Sequence, residues 1–119
     1  MIVVIVDDDP DVLRSLQFAF EVEGIDVVAY PNGEAVLERP LIEGAGCLVL
    51  DYQLGGIDGL ALLERLRERG FRLPAILITT PNAEVARRAA RAGVELIEKP
   101  LLCDTLVAQV RRLLEAPQV

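Results

Sequence analysis

The sequence contains no histidine and no tryptophan, a single lysine, one methionine and two cysteines. Without histidine there is no Ser–His or Cys–His nucleophile pair, no imidazole metal ligand and no internal phosphohistidine. Cys47 and Cys103 are too few for a zinc site and do not suggest a disulfide framework; both read as small hydrophobes. Aromatic residues are 4% of the chain, so a core must be mostly aliphatic. Basic residues number 12 against 19 acidic ones, a formal net charge of -7. Phosphates repel such a chain, which speaks against direct nucleic-acid binding. The apolar run Ile2–Val6 stops at three aspartates and is too short for a signal peptide. No stretch approaches the roughly 20 apolar residues of a membrane span. A soluble, cytoplasmic protein is expected.

The chain does have the means to build a core: 52% of its 119 residues are hydrophobic and 26% charged. That length fits one domain, residues 1–119 with a short tail at 116–119. Short apolar runs at Ile2–Val6, Asp26–Ala29, Cys47–Leu50, Ala75–Thr79 and Glu95–Ile97 read as strands, several buried on both faces. Between them apolar residues recur at helical spacing: Leu13, Leu16 and Phe20; Leu62, Leu63 and Leu66; Val85, Ala86, Ala89 and Ala90; Leu106, Val110, Leu113 and Leu114. A weaker helix, about Glu34–Arg39, is expected to end at Pro40. Asp9-Pro10 and Asp58 are helix-start signals, Asp104 or Thr105 is expected to cap the last helix, and Gly24, Gly70 and Gly93 stand where helices should stop. Five strand–helix units in a row imply a parallel sheet covered by helices on both faces. For this length the expected fold is a flavodoxin-like (βα)5 sandwich with strand order 2-1-3-4-5, whose site lies beyond the C-terminal strand ends.

At those ends stand Asp7, Asp8 and Asp9 after the first strand, Asp51 after the third, Thr79 and Thr80 at the fourth, and Glu98-Lys99-Pro100 after the fifth. The only lysine falls here; every other basic residue is arginine. Two like charges about 4 Å apart repel by roughly 4 kcal/mol at an effective dielectric near 20. Asp7, Asp8 and Asp51 in one cleft therefore require a cation or a proton. Oxygen ligands alone suit a hard ion, and Mg²⁺, which keeps waters, leaves positions for phosphoryl oxygens. Lys99 supplies a mobile point charge for a phosphate, and Thr79 a hydroxyl. Flavin phosphate binding is excluded, because three aspartates would repel a bare phosphate. Taken singly, most of these residues have plainer roles. Asp9 is most simply a helix cap, and Arg87, Arg88 and Arg91 a solvated helix face. Asp51 is harder to dismiss, since it closes a buried apolar run. Four separate strand ends each carry a part of one Mg²⁺–phosphoryl site.

Together these residues resemble the receiver domain of two-component response regulators. The motifs are Ile5-Val6-Asp7-Asp8-Asp9, Leu50-Asp51-Tyr52-Gln53-Leu54-Gly55-Gly56-Ile57-Asp58-Gly59, Ile76-Leu77-Ile78-Thr79, Ala92-Gly93 and Glu98-Lys99-Pro100. The likeness covers essentially the whole chain. It implies that Asp51 accepts a phosphoryl group from a phosphohistidine of a sensor histidine kinase or phosphotransfer protein. It implies Mg²⁺ held by Asp8, Asp51 and the Gln53 backbone carbonyl, with Asp7 acting through water. Lys99 would pair with the phosphoryl group, Thr79 would swing toward it, and the Lys99–Pro100 bond would be cis. The expected protein is a switch and not an enzyme with an external substrate. Its signal would pass to an output domain or protein through the face of the fourth helix, fifth strand and fifth helix, which by the same resemblance could also form a homodimer.

The sequence departs from the family pattern in places. Leu96 stands where an aromatic switch residue is usual, Thr80 where a small residue is usual, and Gly55 where proline is common. The same residues bear on two other readings: an interaction module of the same fold with little or no phosphorylation, and a Mg²⁺-dependent phosphatase with an aspartate nucleophile. The second wants Asp-x-Asp-x-Thr/Val after the first strand, and neither Asp7-x-Asp9-x-Asp11 nor Asp9-x-Asp11-x-Leu13 supplies it.

Overall fold

The computed structural model describes residues 2–38 and 44–115. Its elements alternate: β1 (Ile2–Val6), α1 (Pro10–Val22), β2 (Asp26–Tyr30), α2 (Gly33–Leu37), β3 (Ala45–Asp51), α3 (Gly59–Glu68), β4 (Ala75–Thr79), α4 (Ala83–Ala92), β5 (Glu95–Glu98) and α5 (Cys103–Glu115). All strand pairs are parallel, in the order β2-β1-β3-β4-β5 that the sequence pattern leads one to expect. The expected stop at Pro40 and the tail at 116–119 lie outside the described residues.

Successive strand residues face opposite sides of the sheet, and the central strands are apolar at both parities. Val4, Val6, Leu48, Leu50 and Leu77 meet Leu62, Leu63 and Leu66 of α3 and Val85 and Ala89 of α4. Val3, Ile5, Val49, Ile76 and Ile78 meet Leu16 and Phe20 of α1 and Leu106, Val107 and Val110 of α5. The two clusters share the sheet as their common wall, so the loops at its C-terminal edge project from a rigid support.

The helix boundaries follow local chemistry. Asp9 accepts the amides of Asp11 and Val12, with Pro10 in the first turn, and Asp58 accepts the amide of Ala61. Gly24, Gly70 and Gly93 take φ of 76°, 94° and 68°, the left-handed conformation in which glycine avoids a Cβ clash. The start of α5 departs from expectation. The helix begins at Cys103, and Leu106 N–H bonds the Leu102 carbonyl, so Asp104 and Thr105 lie inside the first turn rather than capping it.

Arginines close other helix ends. Arg111 donates to the Glu23 carbonyl at 3.0 Å, Arg69 donates to that of Leu37 at 2.5 Å, and Arg67 bonds that of Ala92. Each thus supplies a donor to a carbonyl at or just beyond a helix C-terminus, where the dipole favours positive charge.

Gly59 is the tightest point between scaffold and cleft. A Cβ there would stand 2.5 Å from the Asp51 carbonyl oxygen and 2.8 Å from a Leu77 methyl. Backbone cannot yield as a flexible side-chain end does. Gly59→Ala is expected to destabilise the protein by about 1–3 kcal/mol, seen as a lower urea midpoint; an unchanged midpoint would mean that the β3–α3 junction is looser than these distances imply.

Candidate functional site

Backbone hydrogen bonds carry the sheet ladder one residue past three strands. Asp7 N–H donates to the Tyr30 carbonyl at 3.2 Å, Tyr52 N–H to that of Ile78 at 2.9 Å, and Lys99 N–H to that of Thr79 at 2.9 Å. These bonds fix the chain at the points where the acidic and basic side chains emerge. One carboxylate oxygen from each of Asp7, Asp8 and Asp51 lies within 4.8 Å of the other two. Asp7 is 4% and Asp51 5% exposed, whereas Asp8 faces solvent. Lys99 Nζ stands 3.4 Å from an Asp51 oxygen, and the Lys99–Pro100 bond is cis. Gln53 and Ile78 complete the cleft around these groups.

The two buried acids have distinct donors. Asp7 accepts the Asp9 amide at 2.9 Å, and Asp51 accepts the Gln53 amide at 3.2 Å as well as Lys99. Asp9 lines the cleft, but its carboxylate serves the α1 amides, which bears out its reading as a cap. Thr79 is buried at the end of β4, with its hydroxyl donating to the Thr80 carbonyl at 3.1 Å. The structure therefore brings Asp7, Asp8, Asp51, Gln53 and Lys99 to one cleft and leaves the Thr79 hydroxyl turned toward its own chain.

Three carboxylates here face one ammonium. Oxygen donors with no imidazole or thiolate among them fit a hard divalent cation, and the imbalance of charge gives such an ion a reason to bind. The same imbalance acts on protons. Burial pushes the Asp7 carboxyl up to about 6 from its ordinary 3.8; the Asp9 amide bond opposes this, the Asp51 and Asp8 charges reinforce it, and Lys99 lowers it. Cys47, by contrast, is closed off in the core: burial pushes its thiol up to about 12. It packs as a small hydrophobe, as its composition context implies.

The sequence reading missed one contact beside the cleft. Arg87 and Arg91 are exposed, as expected of a solvated face, but Arg88 is not simply solvated. It donates to the Tyr52 hydroxyl at 3.0 Å and lies 3.7 Å from an Asp58 oxygen. Tyr52 and Arg88 are 36 residues apart, and no local periodicity relates them.

A family model described as the response regulator receiver domain matches residues 3–111. The C4-dicarboxylate transport transcriptional regulatory protein DctD of Pseudomonas aeruginosa is 34% identical over 95% of this chain and 25% of its own length. The transcriptional regulatory protein FixJ of Azorhizobium caulinodans is 34% identical over 90% of this chain and 52% of its own. The chain thus spans between a quarter and about half of these relatives. Among solved structures, the receiver domain of the Francisella response regulator 1452 superposes with a TM-score of 0.87 at 25% identity, covering 96% of both chains. The BeF3-activated receiver domain of DrrB, a Thermotoga maritima protein, gives 0.85 at 26% identity, covering 97% of both.

Asp7 makes the site sensitive to pH. A carboxyl whose folded pKa lies above its unfolded value stabilises the fold fully below the unfolded value and loses that contribution as pH rises through the folded one. With divalent ions removed, the protein should lose stability relative to Asp7→Asn as pH rises from about 4 to about 7, by an amount on the order of 2 kcal/mol. Urea denaturation of both proteins across this window measures it. A difference that stays constant with pH would contradict the assignment.

Proposed function

The chain belongs to the response regulator receiver domains of two-component systems, and from that membership we propose that it is a phosphorylation-dependent signalling switch with Asp51 as the phosphoacceptor. The observation that carries this reading is the convergence of Asp7, Asp8 and Asp51 within 4.8 Å, with Lys99 3.4 Å from Asp51. An Asp51 carboxylate oxygen attacks phosphorus on the phosphohistidine of a partner sensor kinase or phosphotransfer protein. The O–P bond forms, the P–N bond breaks, and the leaving imidazole takes up a proton. Asp8, Asp51 and the Gln53 backbone carbonyl would hold Mg²⁺, with Asp7 acting through water, and the ion would supply positive charge that neutralises the transferred group. Lys99, already beside Asp51, passes from the carboxylate to a phosphoryl oxygen. Thr79 exchanges its bond to the Thr80 carbonyl for one to the same group. Positioning and electrostatics accomplish the transfer, with little else required of the protein.

The switch is a shift of population: the phosphoryl group favours the conformation in which its contacts are better. The shifted face is that of α4, β5 and α5, which acts on an output domain or protein and can pair two copies. In this reading the chain does not turn over an external substrate, works in the cytoplasm and does not itself contact nucleic acid. Among the described residues no helix is long and apolar enough to cross a membrane.

Adding beryllofluoride or acetyl phosphate with Mg²⁺ should shift the amide NMR signals around Asp51. A folded protein with no response would instead be a module that works by binding alone. Asp51→Asn should abolish phosphoryl uptake and leave the fold intact, with metal-free stability unchanged or higher because one crowded charge is gone; a large drop in the urea midpoint would count against the site. Lys99→Ala should weaken the response to beryllofluoride far more than Mg²⁺ affinity, both measurable by titration. Equal loss of the two would show that Lys99 has another role.

A further inference from the structure

Arg88 extends from α4 to the segment that carries Gln53. Its guanidinium donates to the Tyr52 hydroxyl at 3.0 Å, lies 3.7 Å from an Asp58 carboxylate oxygen, and stands 6.0 Å from the centre of the Tyr52 ring. Tyr52 directly follows Asp51 in the chain. Asp58 ends the same loop, and its other oxygen accepts the Ala61 amide at 2.8 Å at the start of α3. A single side chain from α4 therefore touches both ends of the loop leaving the phosphoacceptor.

Both ends of the loop are anchored, and Asp58 also accepts the Leu62 amide through its carbonyl. The Tyr52 backbone is held on both sides, its N–H by the Ile78 carbonyl and its carbonyl by Gly59 N–H at 2.8 Å. The loop between rests in part on the Gln53 amide bond to Asp51 at 3.2 Å. A phosphoryl group on Asp51 offers new oxygens to Gln53 and Lys99 and so changes the load on that loop. At β5, Leu96 has no polar atom with which to register such a change and packs against the same apolar cluster as Tyr52. Arg88 has two anchoring groups, a hydroxyl and a carboxylate, and its side chain is 35% exposed, so the balance between its two partners can change without opening the core.

Resting on the signalling function above, we propose that Arg88 is the positioning residue that carries a change at Asp51 to α4 through Tyr52 and Asp58. The coupling is reciprocal, as linkage requires: a partner that displaces α4 alters the affinity of the cleft for a phosphoryl group by the same factor. Removing Arg88 breaks both contacts and removing the Tyr52 hydroxyl breaks one of them, so the loss of the hydroxyl is contained in the loss of the arginine.

The test is amide NMR of the unmodified protein, Arg88→Ala, Tyr52→Phe and the double variant, each with and without beryllofluoride and Mg²⁺. In the unmodified protein, signals of Gln53, Lys99 and α4 should all shift. In each single variant the Gln53 and Lys99 shifts should persist while the α4 shifts fall, by roughly half or more in Arg88→Ala, and the double variant should lose no more than Arg88→Ala alone. Tyr52→Phe retains the ring and its packing, so its effect isolates the hydrogen bond from any loss of the arginine stem. Undiminished α4 shifts in either single variant, or additive losses in the double one, would overturn the proposal. Loss of beryllofluoride uptake by Arg88→Ala would overturn it too, by placing Arg88 in the binding machinery. Absence of any shift around Asp51 in the unmodified protein would instead sink the signalling function itself.

Discussion

Like charge held in place is the constraint around which this molecule is organised. Asp7, Asp8 and Asp51 come from the ends of two neighbouring strands, and their oxygens lie within 4.8 Å of one another. Such proximity of like charges opposes folding, most strongly between the buried Asp7 and Asp51 and less at Asp8, which water screens. The ladder fixes the backbone at and beside the two buried acids: Asp7 bonds Tyr30, and Tyr52 next to Asp51 bonds Ile78. Two apolar clusters behind the strands supply the offset, with the central strands buried on both faces. The same repulsion gives the cleft a demand for positive charge, and together with burial, the larger cause, it pushes the Asp7 carboxyl upward.

The basic residues divide according to what each side chain does well. Arginine supplies a planar fork that can hold a carbonyl while staying charged, and Arg67, Arg69 and Arg111 use it at or near helix C-termini. Lysine is a compact charge on a flexible stem, suited to moving a short distance between two anions. The one lysine stands 3.4 Å from Asp51, where such movement is useful.

Much of the architecture was legible because parallel strands buried on both faces leave a strong signal. Ile2–Val6 and Ala75–Thr79 were read to the residue, being unbroken runs of aliphatic side chains up to their polar ends. β3 proved longer than Cys47–Leu50, since Ala45 and Gly46 at its start carry little apolar signal and Asp51 at its end is polar although still paired in the sheet. The start of α5 was misplaced because Asp104 and Thr105 look like caps wherever they occur, and only the Leu106–Leu102 bond shows the turn beginning earlier. In the site, Asp7, Asp8, Asp51 and Lys99 could be found because topology alone puts strand ends together. The orientation of the Thr79 hydroxyl toward Thr80 could not, as it depends on rotation about one bond. Nor could the partner of Arg88, which follows from how α4 lies against a loop far away in sequence.

That last contact bears on how a fold of this kind transmits a local change. A sheet packed on both faces does not deform gradually, so a signal must leave the cleft through a few side chains that have more than one stable partner. Thr79 qualifies, since its hydroxyl is bonded to a carbonyl that water could serve instead. Leu96 does not: it has no polar atom, and its half-buried side chain lies against the core. Arg88 qualifies on geometry, because its charge is shared between Tyr52 at 3.0 Å and Asp58 at 3.7 Å at the two ends of one loop. The exposed neighbours Arg87 and Arg91 make none of the hydrogen bonds or ion pairs found among the described side chains, which leaves Arg88 as the arginine of α4 that is both anchored and able to change anchors. A helix whose position depends on such an exchange can respond to the cleft without any rearrangement of the sheet that supports both.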